Sequence, residues 1–123
     1  MATTTIVDKD GNSIAYDDAT VPSDRHFRNA WSLSGSVITE DVAASKVIFK
    51  DKIREARTLL FDAEDVIYMR ALEAADADAQ AASIAVKIAL RDAPADLAIA
   101  SANTISDLKA AWDTSVLGDN PYL

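Results

Sequence analysis

The sequence predicts a mainly α domain: a long antiparallel helical hairpin with short C-terminal helices and a small N-terminal β-hairpin. Residues 39–93 contain neither glycine nor proline, are rich in helix formers, and pause only at Ala74-Ala75-Asp76-Ala77-Asp78. Alanine supplies 24 of the 123 residues and aromatics only 7%, so the apolar half of the composition consists of small side chains suited to close helix packing. A chain of this length forms one domain with a modest core, divided into 1–20 (β-hairpin), 39–93 (helical hairpin) and 94–123 (short helices and tail).

The first element follows from two short runs, Thr3 to Val7 and Ser13 to Tyr16, joined by Asp8-Lys9-Asp10-Gly11-Asn12, whose Asp-Gly step suits a tight turn. Two isolated strands are marginal in water, so this hairpin is expected to pack on the helices or pair with another chain's sheet edge. Val21-Pro22 ends the extended segment. Ser23 or Asp24 then caps a short helical turn carrying Phe27 and Trp31, and Gly35 opens a turn before Val37-Ile38.

Thr39 is the expected N-cap of the long helix, with Glu40 and Asp41 favouring the positive end of its dipole. Phe49, Ile53, Ala56, Leu60, Ala63 and Ile67 recur at alternating four- and three-residue steps, the spacing of a seam against a neighbouring helix. The helix is expected to run unbroken past Asp62, about three times the usual length. Asp76 or Asp78 caps a second helix, which ends at Ala93 because the residue before Pro94 is pushed out of the helical region. Gln80, Ser83, Lys87 and Arg91 form its only polar stripe. Ala81, Ile84 and Ile88 are expected to face the first helix. Ala82, Val86, Ala89 and Ala93 then form a flank that needs another cover, from the C-terminal third or from a partner.

Pro94 suits the first turn of a short helix through Ala100, and Thr104 with Asp107 resembles a capping box opening a helix to Trp112. The segment from Gly118 to Leu123 has turn chemistry and reads as a loose end.

A net charge of −8 disfavours nucleic acid and anionic lipid as partners. One local reversal, at Lys46, Lys50, Lys52, Arg54 and Arg57, reads as a solvated helix face or as a docking strip for an acidic partner. With no cysteine, one histidine (His26) and three scattered glycines, thiolate sites, a two-histidine metal site and a phosphate-binding glycine loop are all excluded within this chain. Asp8, Asp10 and Asn12 alternate as at the start of a calcium loop, but Gly11 is misplaced and no closing Glu follows. Ser23, Asp24 and His26 are adjacent, whereas a triad is assembled from separated elements. The expectation is no enzyme, no cofactor, no metal and no small-molecule substrate. The start Met1-Ala2-Thr3-Thr4-Thr5 lacks the features of a signal peptide, and no segment is long and apolar enough to span a bilayer.

Val21-Pro22-Ser23-Asp24-Arg25-His26-Phe27-Arg28-Asn29-Ala30-Trp31, followed by Ile38-Thr39-Glu40-Asp41, resembles small proteins of tailed bacteriophages. Ile53-Arg54-Glu55-Ala56-Arg57, Asp65 to Glu73, Leu90-Arg91-Asp92 and Leu108 to Trp112 resemble the same set in the same order, so the likeness spans Val21 to Trp112. The resemblance is to phage tail-fibre assembly proteins and other small tail-module proteins, and it carries no catalytic residue. It implies a protein that binds tail or fibre proteins, or further copies of itself, as an assembly chaperone or a small tail component. Its place would be the host cytoplasm during assembly and the virion tail. A permanent virion subunit unrelated to fibres and a host-directed binding protein are the alternatives. The candidate contact residues are Ala82, Val86, Ala89 and Ala93, and the strip of Lys46, Lys50, Arg54 and Arg57.

Overall fold

The computed structural model describes residues 5–123, so Thr3 and Thr4 of the expected first strand lie outside the described residues. Strand β1 (Thr5–Val7) pairs antiparallel with β2 (Ser13–Ala15), placing Ile6 opposite Ile14. Asp8 organises the turn between them. One of its carboxylate oxygens accepts the amides of Asp10 (2.9 Å) and Asn12 (2.8 Å), and the other accepts the amide of Leu33 (2.8 Å). The same side chain thus closes a turn and ties the hairpin to the next one.

That next element is a second antiparallel hairpin, β3 (Trp31–Ser34) with β4 (Val37–Glu40), turning at Gly35 with a positive φ of 64°. It corrects the expected short helix through Trp31. Only a 3-10 turn over Arg28–Ala30 is helical, and Trp31 begins a strand. Ile6, Trp31 and Ile38 bury together between the two hairpins, with Ile14, Ala19, Val21 and Leu33 around them. Two ribbons too small to be stable alone therefore share one apolar cluster.

The chain is mostly helical (61%) beside these two small antiparallel β-hairpins. Helix α1 (Val42–Glu73) runs 32 residues without interruption, through Asp62 as expected. Its N-cap is Asp41 and not Thr39: the Asp41 carboxylate accepts the amide of Ala44 at 3.0 Å, while Thr39 and Glu40 belong to β4. Strand pairing with Ser32 and Trp31 holds those two residues extended, which moves the helix start two residues on.

A turn at Ala74 and Ala75 separates α1 from α2 (Ala77–Asp92), and Asp76 caps α2 by accepting the amide of Ala79 at 3.0 Å. The turn places Ala75 at φ 53°, while the Asp76 amide donates back to the Ala71 carbonyl. Left-handed backbone costs an alanine roughly 1–2 kcal/mol and a glycine almost nothing. Ala75→Gly is accordingly expected to stabilise the protein by about 1 kcal/mol, after allowing for the freer unfolded chain. A lower urea midpoint in the variant would contradict this geometry.

Beyond a 3-10 turn at Ala93–Ala95 come α3 (Leu97–Ser101), α4 (Ile105–Ala110) and α5 (Thr114–Leu117). Thr104 caps α4 by accepting the Asp107 amide at 3.1 Å. The main core lies where these short helices meet the N-terminal half of α1 and the C-terminal end of α2. It contains Phe27, Phe49, Ile53, Leu90, Ile99, Leu108, Trp112 and Leu117. The tail is not loose. Tyr122 stacks on Phe27 and Phe49 at ring-centroid distances of 5.2 and 5.4 Å, and the Trp112 indole N–H donates to the Gly118 carbonyl at 3.2 Å.

Candidate protein-binding surface

Past Phe61, no residue of α1 belongs to the main core among the described residues, and the side-chain hydrogen bonds and ion pairs described there run to α2. The contacts between them follow a reversed order. The Arg57 guanidinium donates to the carbonyls of Leu90 (3.3 Å) and Arg91 (3.0 Å), and Lys87 pairs with Asp65 at 2.7 Å. The Ser83 hydroxyl donates to the Glu64 carbonyl and the Gln80 amide to the Ala71 carbonyl, both at 3.4 Å. Ser83 and Ala71 are buried, and their small size lets the backbones approach.

These contacts overturn the expected orientation of α2. Its stripe of Gln80, Ser83 and Lys87 faces α1, whereas Ile84 and Ile88, expected to face α1, are 46% and 45% exposed, and Ala81 is exposed too. The facing row of α1 beyond Leu60 consists of Glu64, Tyr68 and Ala71. Ala63 and Ile67, expected in the seam, are exposed. The physical reason is complementarity: α1 offers carbonyls, the Asp65 carboxylate and the Tyr68 ring, with Lys87 over that ring at 4.8 Å. A purely aliphatic stripe would forgo the Lys87–Asp65 ion pair and the cation over the Tyr68 ring.

The expected flank divides. Ala82 and Val86 are exposed, while Ala89 and Ala93 are half-buried and Ala93 packs on the main core. Sequence reading missed the α1 contribution: Leu59 (76% exposed), Val66, Ile67, Met69 and Leu72 also face outward. With Ile84, Val86 and Ile88 they surround the two-helix segment with branched aliphatic surface. The signal available in the sequence was the opposite charge of Asp65 and Lys87, since the other contacts run to backbone carbonyls.

The basic strip is largely engaged within the chain. Lys46 donates to the Ala100 carbonyl at 2.8 Å, Arg57 covers the carbonyl end of α2, and Arg54 pairs with Asp51 at 2.8 Å. Lys50 has no carboxylate within ion-pairing distance among the described residues. A shallow groove of about 260 Å³ lies beside the strip, lined by Phe61, Ile84, Lys87, Ile88 and Arg91.

The second concavity, about 490 Å³, is bordered by His26, Asp51, Lys52, Glu55 and Tyr122. His26 packs edge-on to Tyr122 at 5.0 Å, and its backbone amide donates to Asp24, which is itself bound to Lys109. The Lys109 ammonium holds the Asp24 carboxyl below the usual carboxylate range. Burial, reinforced by Asp24, pushes Glu40 above it. Among the described residues, no serine, threonine or lysine side chain is hydrogen-bonded to His26.

No protein-family model, curated protein or solved structure matches the chain.

Proposed function

We propose that the chain is a bacteriophage tail or tail-fibre protein that works by protein–protein binding, as an assembly chaperone or a small tail component. The observation that carries the binding reading is the outward aliphatic surface of α1 and α2: Leu59, Val66, Ile67, Ile84, Val86 and Ile88 are exposed, while Ser83 and Lys87 of α2 turn towards α1. Exposed large apolar side chains concentrated on one segment support a protein-binding reading. The reversed order of interhelical contacts supports reading α1 and α2 as an antiparallel helical hairpin that projects from the core and presents this surface. The tail assignment rests on the resemblance across Val21 to Trp112.

The test is affinity capture of tagged protein from cells infected by the phage that encodes it, with bound proteins identified by mass spectrometry. Wild type is expected to recover tail or fibre proteins. Ile84→Asp and Val86→Asp, which place a charge on already exposed positions, are expected to reduce that recovery at least tenfold while leaving the circular dichroism spectrum unchanged. A stable monomer that captures no tail protein overturns the reading. Fixed copy number in purified virions separates a permanent subunit from a transient chaperone.

A further inference from the structure

We propose that the groove beside Phe61 is the docking site for an acidic, aliphatic-anchored segment of a partner protein. The proposal rests on the protein-binding reading above and specifies which face binds and what chemistry it selects.

The groove, about 260 Å³, is below the ~300–1,000 Å³ of small-molecule pockets and suits one or two side chains. Its walls are Phe61 from α1 and Ile84 and Ile88 from α2, an apolar floor for a leucine-like anchor. Its rim is cationic. The Arg57 guanidinium lies over the Phe61 ring at 5.8 Å, Lys87 lies over Tyr68, and Arg91 lines the groove directly. Lys50, Arg54, Arg57 and Phe61 succeed one another at steps of four, three and four residues, so one stripe of α1 leads from the basic strip into the groove.

Five cations, Lys50, Arg54, Arg57, Lys87 and Arg91, thus share this face with the paired carboxylates Asp51, Asp65 and Asp92 and with Glu64, which follows Phe61 on the same stripe. In a chain of net charge −8 this is a reversal of sign, and it complements a partner that is acidic around an apolar anchor. The Arg54–Asp51 and Arg91–Asp92 pairs involve exposed side chains, where ion pairs are weak, so a partner's carboxylates exchange for them at little cost. An amphipathic helix laid along the face satisfies both requirements, its aliphatic stripe in the groove and its glutamates on the rim.

The experiment is an NMR titration of the full chain with two helical peptides that share the same leucines, one carrying glutamate and the other lysine at every charged position. Saturable shifts at Phe61, Ile84 and Ile88 are expected with the glutamate peptide only. Affinity should fall about tenfold in Lys50→Glu/Arg91→Glu, provided its thermal midpoint matches wild type. Should that variant melt early, a salt titration of wild type replaces it, with weakening at higher ionic strength expected. Equal binding of both peptides, shifts elsewhere, or salt-independent affinity overturns the proposal. Shifts of Ile84 and Ile88 on changing protein concentration alone would assign the groove to a second copy and also overturn it. If Lys50→Glu/Arg91→Glu still captures tail proteins, acidic docking fails and the tail reading stands. If wild type captures none, the tail reading fails independently of the peptide result.

Discussion

Phe49→Ala is expected to destabilise the protein by about 3–5 kcal/mol. Phe49 is fully buried at the point where α1, the C-terminal helices and the tail converge. Its ring meets Trp112 edge-on at 5.9 Å and stacks on Tyr122 at 5.4 Å. Such pairs add about 0.5–1.5 kcal/mol each beyond simple burial. With aromatics at 7%, the ring is a large share of the bulky side chain volume in the core, and its loss leaves a cavity that neighbours refill only in part. Against a typical stability of about 5–15 kcal/mol, this single change removes a large share. The expected readout is a thermal midpoint lower by about 10–20 °C for a domain of this size. A shift below about 5 °C would mean that the aromatic cluster is not the centre of the fold.

The elements that sequence reading located are those with local causes. The Asp10-Gly11 step, the Asp76 and Thr104 caps, and the uninterrupted α1 each depend on residues within one turn of each other. The failures are non-local. Trp31 reads as part of a short helix because Phe27 and Trp31 are four residues apart, yet Trp31 becomes a strand because Ile6 and Ile38 come from distant segments to bury it. Helix α2 fails differently. Periodicity finds its polar stripe correctly but assigns that stripe to solvent, a rule that holds when the neighbour is apolar. Here the neighbour is the stretch of α1 carrying Glu64, Asp65 and Tyr68, so the polar stripe turns inward and the aliphatics turn out. The candidate binding surface follows from that inversion: of the expected flank, Ala82 and Val86 are exposed, whereas Ala89 is half-buried and Ala93 packs on the main core, which the C-terminal helices help to build.

The tail yields the second large effect. Tyr122→Ala is expected to cost about 2–3 kcal/mol, less than Phe49→Ala because the ring is only partly buried. A loose end would cost nothing, so urea midpoints decide between the two descriptions. Asn120 fixes the approach: its side-chain amide donates to the Lys109 carbonyl at 2.7 Å, and its oxygen accepts the Tyr122 amide at 2.9 Å. Burial pushes the Tyr122 phenol up from 10.0 to about 12, with Glu55 adding to the shift. The folded state therefore holds the proton more tightly than the unfolded chain, and this contribution is fully present below about pH 10. It is lost as pH rises from about 10 towards 12, because only the unfolded chain releases the proton early in that window. Tyr122→Phe keeps the stacking and removes the ionisation. Its urea midpoint is expected to match wild type at about pH 9 and to exceed it at about pH 11. Equal alkaline losses in both proteins would place the phenol in open solvent and remove the tail from the core.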